Sequence, residues 1–250
     1  MFSGEDMNKL NLRLLDLNGQ DSPAITSEVY YDPDTNETIV DYKTGGITCP
    51  SIKLTSAQAK VFSGYSLVRK DLKFCIKLLK LALDYARKYF PEGSQSFVRD
   101  EFDTEADILK SLYISLVVTY GKCFTQAKGR KVKLELSEMF KKEDTVLKEL
   151  HLELMEQRHQ YVAHAGVTLH EKAQAILVLH PAQNAGIPPV LTTIAQHTST
   201  MDVKYYEQCL KLIEHVDKKV CQIVTSKGEM LKKSVFAETS LEQLYVQART

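Results

Sequence analysis

The chain has no excess of charge of either sign. Lysine plus arginine total 32, aspartate plus glutamate total 32, and the formal net charge is zero. This excludes a global positive field as the means of attracting nucleic acid, so any basic surface must be local. Cysteine is scarce: Cys49, Cys75, Cys123, Cys209 and Cys221 include no CxxC pair and leave one thiol over by count. That pattern excludes a disulfide framework and a cysteine-zinc site, and it suits reduced thiols in a reducing compartment. Long apolar runs are missing as well. The most apolar stretch, ILKSLYISLVVTY, is interrupted by Lys110 and falls short of the roughly 20 residues that a spanning helix needs. The opening MFSGEDMNKLNLRLLDLNG alternates charge with leucine and does not read as a secretory signal. The expectation is a cytoplasmic protein that does not associate with membranes.

Equally absent are an HExxH pair, a cysteine–histidine metal spacing, a GxxxxGK[ST] loop, a G-x-S-x-G elbow and an aromatic-interleaved RNA-binding signature. No metal site and no cofactor is expected. His151, His159, His164, His170, His180 and His197 lie close together in the chain, but their spacing suits surface or hairpin positions better than a three-ligand zinc centre.

What is present is helical periodicity in an ordinary globular composition, 44% hydrophobic and 26% charged. In the segment beginning at Ser56, Val61, Tyr65, Val68, Leu72, Cys75 or Ile76, Leu79, Leu83, Ala86 and Phe90 recur at three- and four-residue steps. Pro91 and Gly93 then stop the pattern. DTEADILKSLYISLVVTYGKCF predicts a second helix, with Asp103 or Thr104 as its cap and an apolar surface nearly all round, hence the most buried of the set. EDTVLKELHLELMEQRHQYVAHAG predicts a third helix that Gly166 ends, and a long last helix follows a cap at Thr198 or Ser199. A short helix, SLEQLYVQ, closes the chain. EVYYDPDTNETIVDY predicts one β-hairpin, and AILVLHP with VLTTIAQHT predicts another over 173–198. The fold class expected is mainly α, an up-and-down helical bundle with small β-hairpin additions. Its parts are an N-terminal arm over 1–55, the bundle over 56–235 and a C-terminal tail over 236–250.

One segment carries chemistry. On a helical wheel, His151, Leu154, Met155, Tyr161, Val162 and Ala165 all fall within about 60° of Arg158. Arg158 thus sits in the middle of the stripe that should face a core or a partner. A guanidinium buried there needs a carboxylate, a phosphate or several carbonyls. One explanation is a structural ion pair with Asp103, Glu105 or Asp107 in a non-catalytic helical protein that dimerises or binds a partner. The other is a cleft in which an anionic ligand supplies the partner. His164 lies six residues on, ~9 Å along the axis, near a helix C-terminus that favours the imidazolium. An imidazole that titrates near neutrality beside a guanidinium is the equipment for metal-free phosphodiester cleavage. The basic loop of Lys128, Arg130, Lys131 and Lys133 lies shortly before this helix and is the better candidate for phosphate contact. Lys70, Lys73, Lys77 and Lys80 read as a solvated face.

The run RHQYVAH, Arg158 to His164, resembles the R-x4-6-H signature of the HEPN superfamily, especially its helical abortive-infection members. The preceding VVTYGKCFTQAKGRK is similar in outline. The resemblance spans roughly residues 56 to 170 and implies a bundle that forms a homodimer, with arginine and histidine of both chains at a shared cleft. It further implies a metal-independent endoribonuclease that cleaves RNA by 2′-hydroxyl attack and serves as a toxin or phage-defence effector, held in check by an antitoxin protein. In that scheme Arg158 and His164 are catalytic: His164 handles the 2′-hydroxyl proton and Arg158 steadies the pentacovalent phosphate. His159 and Tyr161 lie on the substrate side. Members without nuclease activity also exist, so fold alone does not establish the reaction.

Overall fold

The computed structural model describes residues 9–15, 21–33, 36–89, 104–126, 129–159, 171–181, 186, 188–197 and 201–248. The fold is mainly α with small antiparallel β additions. Strands β1 (Lys9–Leu15), β2 (Asp21–Asp32), β3 (Glu37–Thr44) and β4 (Ile47–Thr48) precede helices α1 (Ala57–Tyr89), α2 (Thr104–Cys123), α3 (Leu136–Met139) and α4 (Thr145–Gln157). Strands β5 (Glu171–Val178) and β6 (Val190–His197) follow, then α5 (Val203–Glu238) and α6 (Leu241–Gln247). Two compact units result, one of residues 1–66 with 220–250 and one of residues 67–219.

In the first unit the sheet runs in the order β1-β2-β3-β4. The turn-rich DPDTN joins β2 to β3 as its composition predicts, with Val29 opposite Val40 and Asp32 opposite Glu37. Asn36 takes a left-handed backbone in that turn, a conformation asparagine tolerates better than most residues. Across the strands Lys43 donates to Glu28 at 2.7 Å. Helix α6 opens on a capping box: Ser240 Oγ accepts from the Gln243 N–H at 3.3 Å, and Gln243 Oε1 accepts from the Ser240 N–H at 3.0 Å.

The second unit holds the core. Val68, Leu72, Cys75, Leu79, Leu83 and Ala86 of α1 are buried, which is the three-and-four spacing of the sequence made physical. Leu109, Tyr113, Leu116 and Tyr120 of α2 are buried too, as are Leu154 of α4 and Tyr206, Cys209, Leu212 and Ile213 of α5. Each fully buried leucine contributes about 1.5–3 kcal/mol. Tyr113 and Tyr206 pack edge-on with ring centroids 6.3 Å apart. Helices α1 and α5 run antiparallel, since Arg69 faces Asp217 at 3.8 Å while Arg87 faces Glu207 at 3.6 Å. Desolvation pushes the Asp217 carboxyl up despite Arg69 and Lys73 beside it. The hairpin expected over 173–198 forms from β5 and β6, in register from Glu171 opposite His197 to Val178 opposite Val190.

Helix α2 has eight of its 20 residues buried, in keeping with its apolar surface, although Ile108 and Val118 remain 36% and 40% exposed. One sequence expectation needs correction. Helix α5 begins at Val203 with Asp202 as its cap, whose Oδ1 accepts from the Tyr205 N–H at 2.7 Å. The sequence alone places that cap at Thr198 or Ser199, which lie outside the described residues. Aspartate fills the role because its carboxylate both accepts an orphan N–H and meets the positive end of the helix dipole. Among the described residues, no helix is long and apolar enough to cross a membrane.

His151 on α4 is 2% exposed, shares a 2.8 Å hydrogen bond between Nδ1 and the Tyr120 hydroxyl, and is ringed by Phe124 and Phe140. Burial lowers its pKa from the ordinary value to about 4. The folded state therefore resists protonation that the unfolded state accepts. Its stabilising contribution is complete above about pH 6.5 and is lost as pH falls from there toward 4, a difference of about 3 kcal/mol. Urea titrations across that window should show the loss, and His151→Gln should flatten it. Asp202→Ala should lower stability by about 1 kcal/mol, read from the same urea midpoints, with Asp202→Asn retaining most of it.

Candidate functional site

Helix α4 carries the arginine of interest at its C-terminal end. The regular helix stops at Gln157, and the backbone widens into a π turn at Arg158 and His159. The Arg158 N–H donates to both the Leu154 and Met155 carbonyls. Such widened turns re-aim the side chains that follow, and they recur at functional positions. Arg158 is half-buried and His159 is exposed.

The Arg158 stem lies across α2 at Gly121. A Cβ added to Gly121 would overlap Arg158 Cδ outright and stand 2.8 Å from Nε. Gly121 is itself buried. Its backbone is helical, not left-handed, so conformation does not call for glycine there. Its carbonyl accepts from the Phe124 N–H at 3.2 Å and from the Thr125 hydroxyl at 2.8 Å, which any residue could do. Glycine within a helix is less favourable than alanine by about 0.5–1 kcal/mol. The compensating feature is the passage of Arg158.

Among the described residues, no carboxylate holds the head of this arginine, and Arg158 forms neither an ion pair nor a side-chain hydrogen bond. Glu105 and Asp107, two of the three acids weighed as partners, lie in the first turn of α2, whereas Gly121 lies in its last. The third, Asp103, is outside the described residues, as are His164, Tyr161 and Lys128.

The basic loop divides. The segment after α2 folds back so that the Leu134 N–H donates to the Cys123 carbonyl at 2.9 Å, closing one orphan group of the helix end. This return delivers Arg130 to Asp71 on α1, where the guanidinium donates to the carboxylate. Lys122 Nζ approaches the same oxygen at 3.3 Å. Arg130 and Asp71 are 13% and 18% exposed, so Arg130 is committed to a largely buried pair. Lys131 is exposed and takes a left-handed backbone, φ 59°. Lys133 Nζ lies 3.1 Å from Glu135, so among the described loop residues Arg130 is turned inward as a tether, Lys133 pairs at the surface and Lys131 faces solvent.

Beside this pair, Cys75 and Cys123 are fully buried. Burial pushes the Cys123 thiol up to about 12 and Cys75 higher still. Both are inert thiols that pack as small hydrophobes. Among the described residues, no group of three His, Cys, Asp or Glu side chains is arranged to hold a metal ion.

Sequence reasoning places Arg158 on an inward stripe but misses Gly121, Asp71 and the Tyr120–His151 bond. Gly121 was detectable as a glycine inside an otherwise apolar helix with no turn to make. Asp71, 59 positions from Arg130 in the chain, left no local trace. No family model matches the chain, and neither a curated protein nor a solved structure does.

If Arg130 is a tether, removing its acid leaves a desolvated guanidinium. Asp71→Ala should cost about 2–3 kcal/mol in urea unfolding, and Asp71→Leu combined with Arg130→Met should recover most of it.

Proposed function

We propose that this chain is a metal-independent endoribonuclease of the HEPN type, working as a homodimer with Arg158 and His164 as its reacting pair. The observation that carries the reading is the unpaired Arg158 guanidinium at the end of α4, among the described residues, with its stem seated over Gly121. A half-buried cation without a carboxylate is poised to take an anion, and the planar fork of arginine suits phosphate oxygens. The R-x5-H spacing puts His164 on the same segment, His159 beside Arg158 is exposed, and the exposed Lys131 of the basic loop is a further donor in this reading.

The chemistry follows from these groups. The His164 imidazole takes the proton of the ribose 2′-hydroxyl, and the 2′-oxygen attacks the adjacent phosphorus. The bond to the 5′-oxygen breaks, and that oxygen leaves with a proton from solvent. A 2′,3′-cyclic phosphate and a 5′-hydroxyl end result. Arg158 neutralises charge on the equatorial oxygens of the pentacovalent state, where it grows most. The buried His151, held neutral, serves the core and takes no part. A toxin or defence role, with an antitoxin protein as regulator, belongs to the same reading.

The test is cleavage of a single-stranded RNA oligonucleotide in EDTA. The wild-type protein should produce cyclic-phosphate ends, and Arg158→Ala and His164→Ala should each lower the rate by about 100-fold or more. Equal activity in both variants and the wild type would identify a contaminant and end the reading.

A further inference from the structure

We infer that Gly121 is the positioning residue for Arg158: the missing Cβ on α2 is the groove along which the arginine stem travels, and residue 121 decides where the guanidinium emerges. The steric half of this inference stands on geometry alone. Its catalytic half rests on the ribonuclease reading above.

Three observations converge. Any Cβ at residue 121 would occupy the space that Arg158 Cδ fills and press on Nε. Gly121 has a helical backbone, so no turn or left-handed conformation accounts for glycine there. Among the described residues Arg158 forms no ion pair or side-chain hydrogen bond, and the packing of its stem on Gly121 is the restraint they show. An arginine anchored by a carboxylate would keep its place if the groove were filled. This one would have to leave the groove, most simply by taking another rotamer, and its guanidinium would move with the stem.

The full-length protein is prepared as wild type, Gly121→Ala, Arg158→Ala and the double variant, and thermal midpoints are compared. With alanine at position 158, the Gly121→Ala substitution should raise the midpoint by about 2–4 °C, the ordinary gain for replacing a helical glycine. With arginine at position 158 it should not raise it. Equal rises in both backgrounds would overturn the steric coupling. Should Gly121→Ala prevent folding beside Arg158, recovery of folding in the double variant is the expected coupling in its strongest form.

The same four proteins are then given single-stranded RNA in EDTA. Gly121→Ala should lower kcat by about as much as Arg158→Ala, on the order of 100-fold, with KM little changed, and the double variant should lose no more than either alone. A Gly121→Ala protein that cleaves at the wild-type rate while Arg158→Ala does not would overturn the positioning role. If the wild type itself leaves RNA intact, the ribonuclease reading falls and takes the catalytic half with it, while the thermal cycle alone decides the steric half.

Discussion

A long cationic side chain can be laid across a neighbouring helix only where that helix offers no Cβ in its path. Gly121 supplies such a gap, and Arg158 fills it. Helix α2 is held by Tyr113 against Tyr206 of α5 and by Tyr120 against His151 of α4. Those aromatic contacts set the approach of α4 to α2, and the approach puts the end of α4 over the last turn of α2. Without the buried His151–Tyr120 hydrogen bond, the two helices would lose a polar link that fixes their register.

The cations around the end of α2 divide by burial and partner. Arg130 is desolvated and answered by Asp71, with Lys122 on the same carboxylate, so its charge is spent on joining the loop to α1. Arg158 is half-buried and has no acid within the described residues. The sequence offers both arginines for contact with an anion, Arg158 within the motif and Arg130 in the basic loop, yet their surroundings assign them different duties. A desolvated, paired guanidinium is a strut, whereas an unpaired one is open to an anion.

Histidine shows the same sorting. His151 falls on the inward stripe and is kept neutral by burial among Tyr120, Phe124 and Phe140. His215 of α5 bonds the Met139 carbonyl at 2.9 Å, lies 3.7 Å from Asp144 and stacks on Phe140. These are histidines of structure. His159, exposed on the π turn, is of another kind. Neighbouring histidines in the sequence are thus sorted by burial into separate surroundings.

Local pattern was enough to establish the helical class, the spacing of Val68 to Ala86 in the core of α1, the two hairpins and the burial of His151 and Leu154 on α4. All of these follow from periodicity and turn composition, which act over a few residues. The cap of α5 was misplaced because several polar residues in TSTMD could serve, and only the course of the chain selects Asp202. Tertiary packing alone decided that Asp71 would answer Arg130, that α2 would leave Ile108 and Val118 exposed, and that Gly121 would face Arg158. Those outcomes depend on which helix faces lie against each other, and contacts between segments dozens of residues apart write no periodicity into the chain.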